Sequence, residues 1–318
     1  MAIVSSGQVA LTDLQTEFGG SAPTALSEYY RGGSEGVPSG ASTVPESGEI
    51  RFSDFYSQSA FTPTSATGGT VSDITVSGRS FRVHTFTSSG TFSVSNAGTE
   101  SEVEYLVIAG GGGTSSGVYS GGGGAGGYRS SVVGESSGGG ASAEPKLGIS
   151  STNYSITVGG GGSAGSTRGG NSVFSSITST GGGRGGGNPA ASQTGGSGGG
   201  GGPSSQFPAG SNGTTGQGFA GGGTTSTNEG SSSGGGAGGA GIQNTNSTFV
   251  SGGAGLASSI TGSSVTRATG GRGAGRFSQN TSVPGTANTG NGAGGMHNSS
   301  SASGGSGIVI IRYPLEAA

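Results

Sequence analysis

Glu104-Tyr-Leu-Val-Ile-Ala-Gly-Gly-Gly-Gly113 passes from the most apolar stretch of the chain straight into glycine, and Gly307-Ile-Val-Ile-Ile-Arg-Tyr313 comes back out of glycine near the end. Both apolar stretches are short, rich in β-branched and aromatic residues, and flanked by glycine, which is the pattern of buried strands. The simplest way to bury both is side by side at the centre of one sheet. Residues 110–307 are then an excursion whose two ends are held together.

Composition sets that excursion apart. Of the 79 glycines among 318 residues, 13 precede residue 110 and the other 66 fall within 110–307. Only 28% of the chain is hydrophobic and 8% charged, against roughly 45–50% and 25% in an ordinary soluble domain. Residues 1–109 hold 11 acidic and 4 basic side chains, whereas the remainder holds 4 and 8. A net charge of −3, with one Lys among scattered Arg, gives no basic tract for nucleic acid. There is no Cys, which excludes disulfides, iron–sulfur clusters and thiolate metal sites. Leu106–Ala109 and Ile308–Ile311 are too short to span a bilayer, so no membrane insertion is expected. Met1-Ala-Ile-Val-Ser-Ser-Gly7 lacks the charged and apolar regions of a secretion signal. The expectation is synthesis in the cytoplasm and use without Sec export.

Working outward, further strands are expected at Thr70–Val76, Ser80–Thr87, Thr91–Val94, Tyr154–Val158 and Val173–Thr178. Ser88-Ser-Gly90 suggests a hairpin between the second and third of these. Phe81, Val83, Thr85 and Thr87 should line one face, with Arg82, His84 and Phe86 on the other. Residues 1–57 read differently. Thr12-Asp-Leu-Gln15 has the capping-box form and precedes Glu17-Phe18 and the stop Gly19-Gly20. A second short helix fits Ala22–Arg31, with Leu26, Tyr29 and Tyr30 on one stripe. Glu49-Ile-Arg-Phe52 alternates like a strand, and Ser53-Asp-Phe-Tyr56 could cap another turn. So small a unit is marginal alone. It is either a helical cap or a docking module that completes its core on a partner through Leu11, Leu14, Phe18, Leu26, Tyr29, Tyr30, Phe52 and Phe55.

The glycine runs include Gly110–Gly113, Gly121–Gly127, Gly159–Gly162, Gly181–Gly187, Gly195–Gly202, Gly234–Gly241 and Gly290–Gly295. They lack the Gly-X-Y period and the proline of collagen. A flexible linker would not need the apolar insertions Val118-Tyr119, Phe174, Phe219, Phe249 and Leu256, nor strands that return at the end. One compact arrangement suits such blocks. A polyproline II helix of glycine has three residues per turn and no internal hydrogen bonds, so neighbouring helices must satisfy its backbone. Only glycine allows backbones to approach closely enough. Gly122, Gly123, Gly160, Gly182, Gly199 and Gly235 are the expected lattice positions, while Ser232 reads as part of a connecting turn.

At this point a resemblance appears. Leu11-Thr-Asp-Leu-Gln-Thr-Glu-Phe18, Tyr29-Tyr-Arg-Gly-Gly33 and Ile50-Arg-Phe-Ser-Asp-Phe-Tyr56 resemble the N-terminal region of tail and fibre proteins of bacteriophages, especially marine and cyanobacterial ones. Glu104–Gly113, Gly121-Gly-Gly-Gly-Ala-Gly-Gly-Tyr-Arg129, Tyr154-Ser-Ile-Thr-Val-Gly-Gly-Gly-Gly162 and Ser306–Tyr313 are similar to the glycine-rich domain of phage tail fibres and adhesins, and to blocks in the anaplastic lymphoma kinase receptor. The resemblance implies a mainly β fold: a small N-terminal helical module, then a β-sandwich carrying a polyglycine II lattice. The expected divisions are a virion-docking module at 1–57, a linker with the first strands at 58–109, and a glycine-rich region at 110–318 closed by strand 307–313. It further implies other tail or baseplate proteins as partners of residues 1–57, and a host-surface glycan or outer-membrane protein as receptor. Fibres of this kind are often trimers, so a homo-oligomer is expected.

Catalytic motifs are accidental by context. Gly195-Gly-Ser-Gly-Gly199 matches a nucleophile elbow without its strand and helix, and His84 and His297 are the only histidines. Beyond residue 110 the acids are Glu135, Glu144, Glu229 and Glu316, a poor supply for the carboxylate pair of a polysaccharide-cleaving spike. No enzyme activity, cofactor or metal is expected. Three functions fit: a fibre or adhesin, a purely structural virion component, or an ice-binding lattice. Receptor contacts would come from Tyr119, Phe207, Phe219, Phe277 and His297, aromatic or imidazole side chains between rods.

Overall fold

Strand β5 (Glu102–Ile108) lies antiparallel to β13 (Ile308–Pro314), with Ile108 opposite Ile308 and Glu104 opposite Arg312. The two glycine-flanked stretches are therefore the centre of the sheet, as their composition demands. The computed structural model describes residues 3, 8–20, 25–31, 35, 37, 41, 43–55, 60–116, 119–165, 167–187, 190–203, 209–224, 230–245, 249–275, 283–297 and 301–316. Because successive side chains alternate, Val103, Tyr105, Val107, Val309, Ile311 and Tyr313 face one side, and Leu106, Ile108, Ile308 and Ile310 the other. Both faces are covered, so these strands read as apolar runs interrupted only at Glu104 and Arg312 once inside the sheet.

Beside β13 runs β3 (Arg79–Phe86), with β2 (Thr70–Val76) at the outer edge. On the other side β5 pairs with both β6 (Tyr128–Ser130) and β7 (Leu147–Gly148). A second sheet takes the order β1 (Ser65–Thr67), β4 (Gly90–Asn96), β8 (Asn153–Thr157), β9 (Ser172–Phe174) and β10 (Ile177–Ser179). Phe92, Ile156 and Phe174 from this sheet pack against Phe86, Tyr105 and Ile311 of the first, forming a sandwich. The ring of Phe92 meets Phe174 edge-on at 6.0 Å and His84 at 5.1 Å. A third pair, β11 (Leu256–Ser258) and β12 (Val265–Arg267), brings Leu256 and neighbouring Ile260 onto the far face of β5 and β13.

The expected strands are present, with local corrections. Ser88–Gly90 is not a hairpin, because β3 and β4 belong to different sheets. Phe86 and Phe92 enter the core from opposite sides, so the turn between them is a corner of the sandwich. Val173–Thr178 is two strands: Ser175 adopts a φ of 53° and the chain folds back to put Ile177 opposite Phe174. Nearer the N-terminus, helix α1 (Leu11–Phe18) starts one residue before Thr12. The Ala10 N–H donates to the Asp13 carboxylate at 2.7 Å, so Asp13 and not a threonine hydroxyl closes the first turn. Within Ala22–Arg31 only a 3₁₀ turn, Leu26–Tyr29, forms among the described residues. Among the described residues Glu49–Phe52 pairs with no strand, and it leads into a second 3₁₀ turn, Phe52–Phe55.

Glycine-rich segments leave the strand ends as rods. In the segment 121–127, the N–H groups of Gly121, Gly124 and Gly127 donate to the carbonyls of Gly186, Gly183 and Thr180 at 2.6, 2.8 and 2.8 Å. Those of Gly122 and Ala125 donate to Ser232 and Gly235 at 3.0 and 2.9 Å, and those of Gly123 and Gly126 to Ala293 and Gly290 at 2.8 and 2.9 Å. Every third donor thus reaches the same neighbour: three neighbours accept from the rod, and three more, through Gly112, Gly200 and Gly271, donate to its carbonyls. That is the hydrogen-bonding signature of bundled polyglycine II helices, and it supplies the cohesion that a small apolar content cannot.

The loop end of the glycine rods

Close approach makes the rod interiors chemically uniform. A Cβ on Gly123 would lie 2.1 Å from the Gly112 carbonyl oxygen, and one on Gly199 1.9 Å from that of Arg184. Gly122, Gly182 and Gly235 are equally closed, each with a carbonyl oxygen at 2.1–2.2 Å. Gly160 departs from expectation: a Cβ there meets nothing within 4 Å, because it faces outward. Ser232, expected in a turn, is buried inside a rod, where its N–H donates to Gly201 and its hydroxyl to Gly223. Side chains capable of recognition are therefore restricted to outward positions and to the connections between rods.

Rod pairing shows where those connections gather. Residues 110–114 run out from β5 and 121–127 return to β6, while 159–162 run out from β8 and 167–171 return to β9. Near the sheets the Ala109 N–H reaches Gly127, and at the far end the Thr114 N–H reaches Ala302. Loops after residues 114, 162 and 296 consequently share the end away from the sandwich.

Two of the expected contact residues meet there. Tyr119 and His297 stack edge-to-face with ring centroids 4.4 Å apart, and the Tyr119 N–H donates to the His297 carbonyl at 3.2 Å. Tyr119 holds a positive φ of 58°, unfavourable for a residue with a side chain. The position is fixed from below: the Ser120 N–H donates to Met296, the Met296 N–H to the Ser120 hydroxyl, and the Ser231 hydroxyl to the Ser120 carbonyl at 2.6 Å. Both rings stay half-exposed.

Phe219 is not part of this group. It sits within a rod, donating its N–H to Gly236 and accepting from Gly198, with its ring end near Gly140. Phe207 and Phe277 lie outside the described residues. A pair not singled out as contacts joins the surface instead: the Arg272 guanidinium lies 4.1 Å from the centre of the Phe249 ring, which is 40% exposed. The bond from the Gly273 N–H to the Val250 carbonyl creates this neighbourhood, and nothing in the spacing of the two residues announces it.

Titratable groups away from the loops are structural. Arg312 and Glu104 pair at 2.5 Å beneath the central strands, both buried. Burial acts to raise the Glu144 carboxyl, but the Arg129 guanidinium at 2.5 Å and the Tyr105 hydroxyl at 2.8 Å outweigh it and hold it below the ordinary carboxylate range. His84 is fully buried, with Nδ1 2.7 Å from the Gly68 carbonyl and Nε2 3.0 Å from the Tyr313 hydroxyl, and burial pushes its pKa down. Among the described residues no group of three His, Asp or Glu side chains could hold a metal ion, and no helix is long and apolar enough to cross a membrane.

The N-terminal residues expected to dock divide into two sets. Leu14, Phe18, Tyr29 and Phe55 are buried together with Ile3, Val9, Val37 and Val44, so they close a core of their own. The Phe55 ring lies 6.1 Å from Phe18 and 6.3 Å from Tyr29. Leu11 and Leu26 pack at its margin, and the Tyr30 hydroxyl donates to Gly48 at 2.6 Å. Phe52, 39% exposed, is the one large apolar side chain of the set that points outward.

Comparison with known proteins gives one match. The model of a family described as a glycine-rich domain covers residues 87–314. No curated protein and no solved structure matches the chain. The matched span begins at the corner between the two sheets, includes the whole rod bundle and ends with β13; the chain belongs to this glycine-rich domain family.

Proposed function

We propose that the chain is a non-enzymatic virion component, a bacteriophage tail-fibre or adhesin protein that attaches by residues 1–57 and presents the loop end of its rods to the host surface. The observation that carries this reading is the division of labour within the rod bundle. Rod interiors admit little beyond glycine, alanine and serine, whereas Tyr119, His297, Phe249 and Arg272 are held half-exposed toward the loop end on a scaffold stiffened from beneath. Aromatic faces with adjacent polar groups suit the apolar and hydroxyl faces of sugars in a surface glycan, and they also suit an outer-membrane protein loop. The module around Phe55 has a core of its own and offers Phe52 as its contact to a tail or baseplate protein. A homo-oligomer belongs to the same reading.

Immunogold labelling of virions with an antibody against this chain tests attachment, and adsorption to host cells tests recognition. Tyr119→Ala with His297→Ala should leave particles assembled but lower adsorption roughly tenfold or more, as expected when two central contacts are lost. Unlabelled particles would refute the virion role. Normal adsorption by the double variant would remove the loop end from the receptor site.

A further inference from the structure

Three rods on one flank of the bundle carry a cationic pair that the loop-end site does not use. The Gly169 N–H donates to the Gly182 carbonyl, and the Gln193 N–H to the Arg184 carbonyl, so segments 167–170, 181–187 and 190–196 lie side by side. Arg168 on the first is exposed, and its Nη2 donates to the Thr194 hydroxyl at 2.9 Å. Arg184 on the second is half-buried, and its Nη2 donates to the Ala191 carbonyl at 2.5 Å. Its Nε is buried and has no hydrogen-bond partner among the described residues.

Neither guanidinium has an acidic partner among the described residues. Elsewhere in the sandwich Arg129 pairs with Glu144 and Arg312 with Glu104, while Arg272 lies over the Phe249 ring and Arg267 is buried. The two guanidiniums lie on adjacent rods: Arg168 reaches Thr194, the residue after Gln193, whose N–H donates to the Arg184 carbonyl, and the Arg168 charge adds to burial in lowering the basicity of Arg184. Two like charges held together over a backbone that admits few other side chains carry a standing repulsion. An anion bridging the outward guanidinium nitrogens would relieve it.

We propose that Arg168 and Arg184, with the Thr194 hydroxyl, form a binding site for the carboxylate or sulfate groups of an anionic surface polysaccharide. Guanidinium forks match both groups in a planar, two-bond geometry. The rods hold the forks in place because Gly183 and Gly185 on either side of Arg184 are locked by contacts of 1.9 and 2.0 Å to neighbouring carbonyl oxygens, counted from a would-be Cβ. The site rests on the adhesin reading only for the origin of the polymer.

The test is direct binding of the purified full chain to polygalacturonate, dextran sulfate and uncharged dextran, by calorimetry at low and high salt. Binding to one or both polyanions, none to dextran, and weakening with salt are expected; the polymer that binds tells carboxylate from sulfate. Arg168→Gln with Arg184→Gln should weaken binding at least about tenfold. Should the half-buried Arg184 prove necessary for folding, Arg168→Gln alone changes an exposed side chain and should still weaken binding about threefold or more. Arg51→Gln, which removes a charge from the N-terminal module, should have no effect. Residues 110–318 hold 8 basic against 4 acidic side chains, so salt dependence alone does not identify the site and the arginine variants do. Failure of both polyanions to bind, unchanged affinity in a folded Arg168→Gln variant, or equal weakening by Arg51→Gln would each overturn the proposal. Polyanion binding by a chain absent from virions would refute the adhesin reading alone, and a virion-borne chain that ignores both polyanions would refute this site alone.

Discussion

Gly123 and Gly160 are the same residue in similar runs, yet their surroundings are opposite. A methyl group on Gly123 must displace the Gly112 carbonyl, whereas one on Gly160 enters open space. Gly123→Ala should therefore cost at least about 3 kcal/mol, since a rod can relieve the clash only by separating from its neighbours. Gly160→Ala should stay within about 0.5 kcal/mol of the parent. Equal melting temperatures for the two variants would contradict the close-packed bundle. His84 supplies a second residue-level test. The Gly68 carbonyl can only accept, so Nδ1 carries the proton and Nε2 accepts from the Tyr313 hydroxyl; the neutral ring is fully satisfied. Its folded pKa lies below the ordinary value near 6.5. In that window the unfolded chain binds the proton and the folded chain does not, so stability falls as pH drops from about 7 toward the depressed value. Melting scans at pH 7.5 and 5.5 should show a smaller decline for His84→Gln than for the parent, and an identical decline would exclude His84 as the source.

At the scale of elements, the central strands show what a continuous apolar pattern conceals. Glu104 and Arg312 interrupt the runs in sequence, but register places them directly opposite one another on the face covered by the segment around Ile260. Arg312 donates Nε to Glu104 at 2.8 Å and lies 4.9 Å from the centre of the Phe81 ring. Arg312→Met strands a buried carboxylate and should destabilise the protein by about 3–5 kcal/mol. Adding Glu104→Leu should recover most of that loss, because a matched apolar pair removes the desolvation cost of both ions. Denaturant titrations of the single and double variants measure it, and a double variant no better than Arg312→Met would mean that the pair contributes nothing beyond packing. Rods follow a related rule. Ala125, Ala237 and Ala268 replace glycine where a methyl group turns toward Leu106, Ile108 and Tyr128, so the bundle is attached to the sheet by alanine.

For the whole molecule, sheets and rods depend on one another. The rods begin and end on strands, and β13 closes the central sheet only after the last rod returns. The amides of residues 110–114, 120–127 and 181–187 should consequently exchange as slowly as those of β5 and β13. Full exchange of the glycine segments within the first seconds would show a tethered coil. Among the described residues before Phe61 the sandwich is met only by a long bond from the Thr99 hydroxyl to the Ala60 carbonyl at 3.5 Å, whereas the Thr62 carbonyl accepts from the Thr99 N–H at 2.8 Å. A fragment starting at Phe61 should thus fold and melt within about 3 °C of the corresponding transition in the full chain, as followed by circular dichroism.

What the sequence determined alone were the features set by local chemistry. β-branched runs flanked by glycine specify strands whatever their surroundings, and blocks of glycine too closely spaced for a core leave interchain-type backbone pairing as the source of order. The alternation of Val83 against His84 and Phe86 placed them on opposite faces because a strand has a period of two. Tertiary structure decided everything that depends on which segment lies alongside. Ser88–Gly90 could join a hairpin or turn a corner, and only the positions of Phe86 and Phe92 across the core selected the corner. Ser231, Ser232 and Ser233 look like a turn, yet their hydroxyls fit gaps in the bundle and donate to nearby carbonyls. Leu14, Phe18, Tyr29 and Phe55 suit a partner's surface or a private core equally well by composition, and folding placed them in the core. Tyr119 meets His297, and Arg168 lies near Arg184, because hydrogen bonds spaced every third residue fix which rods are neighbours. In a run of identical glycines that register has no local signal, so it is set by the lengths of the connections and by the strands at each end.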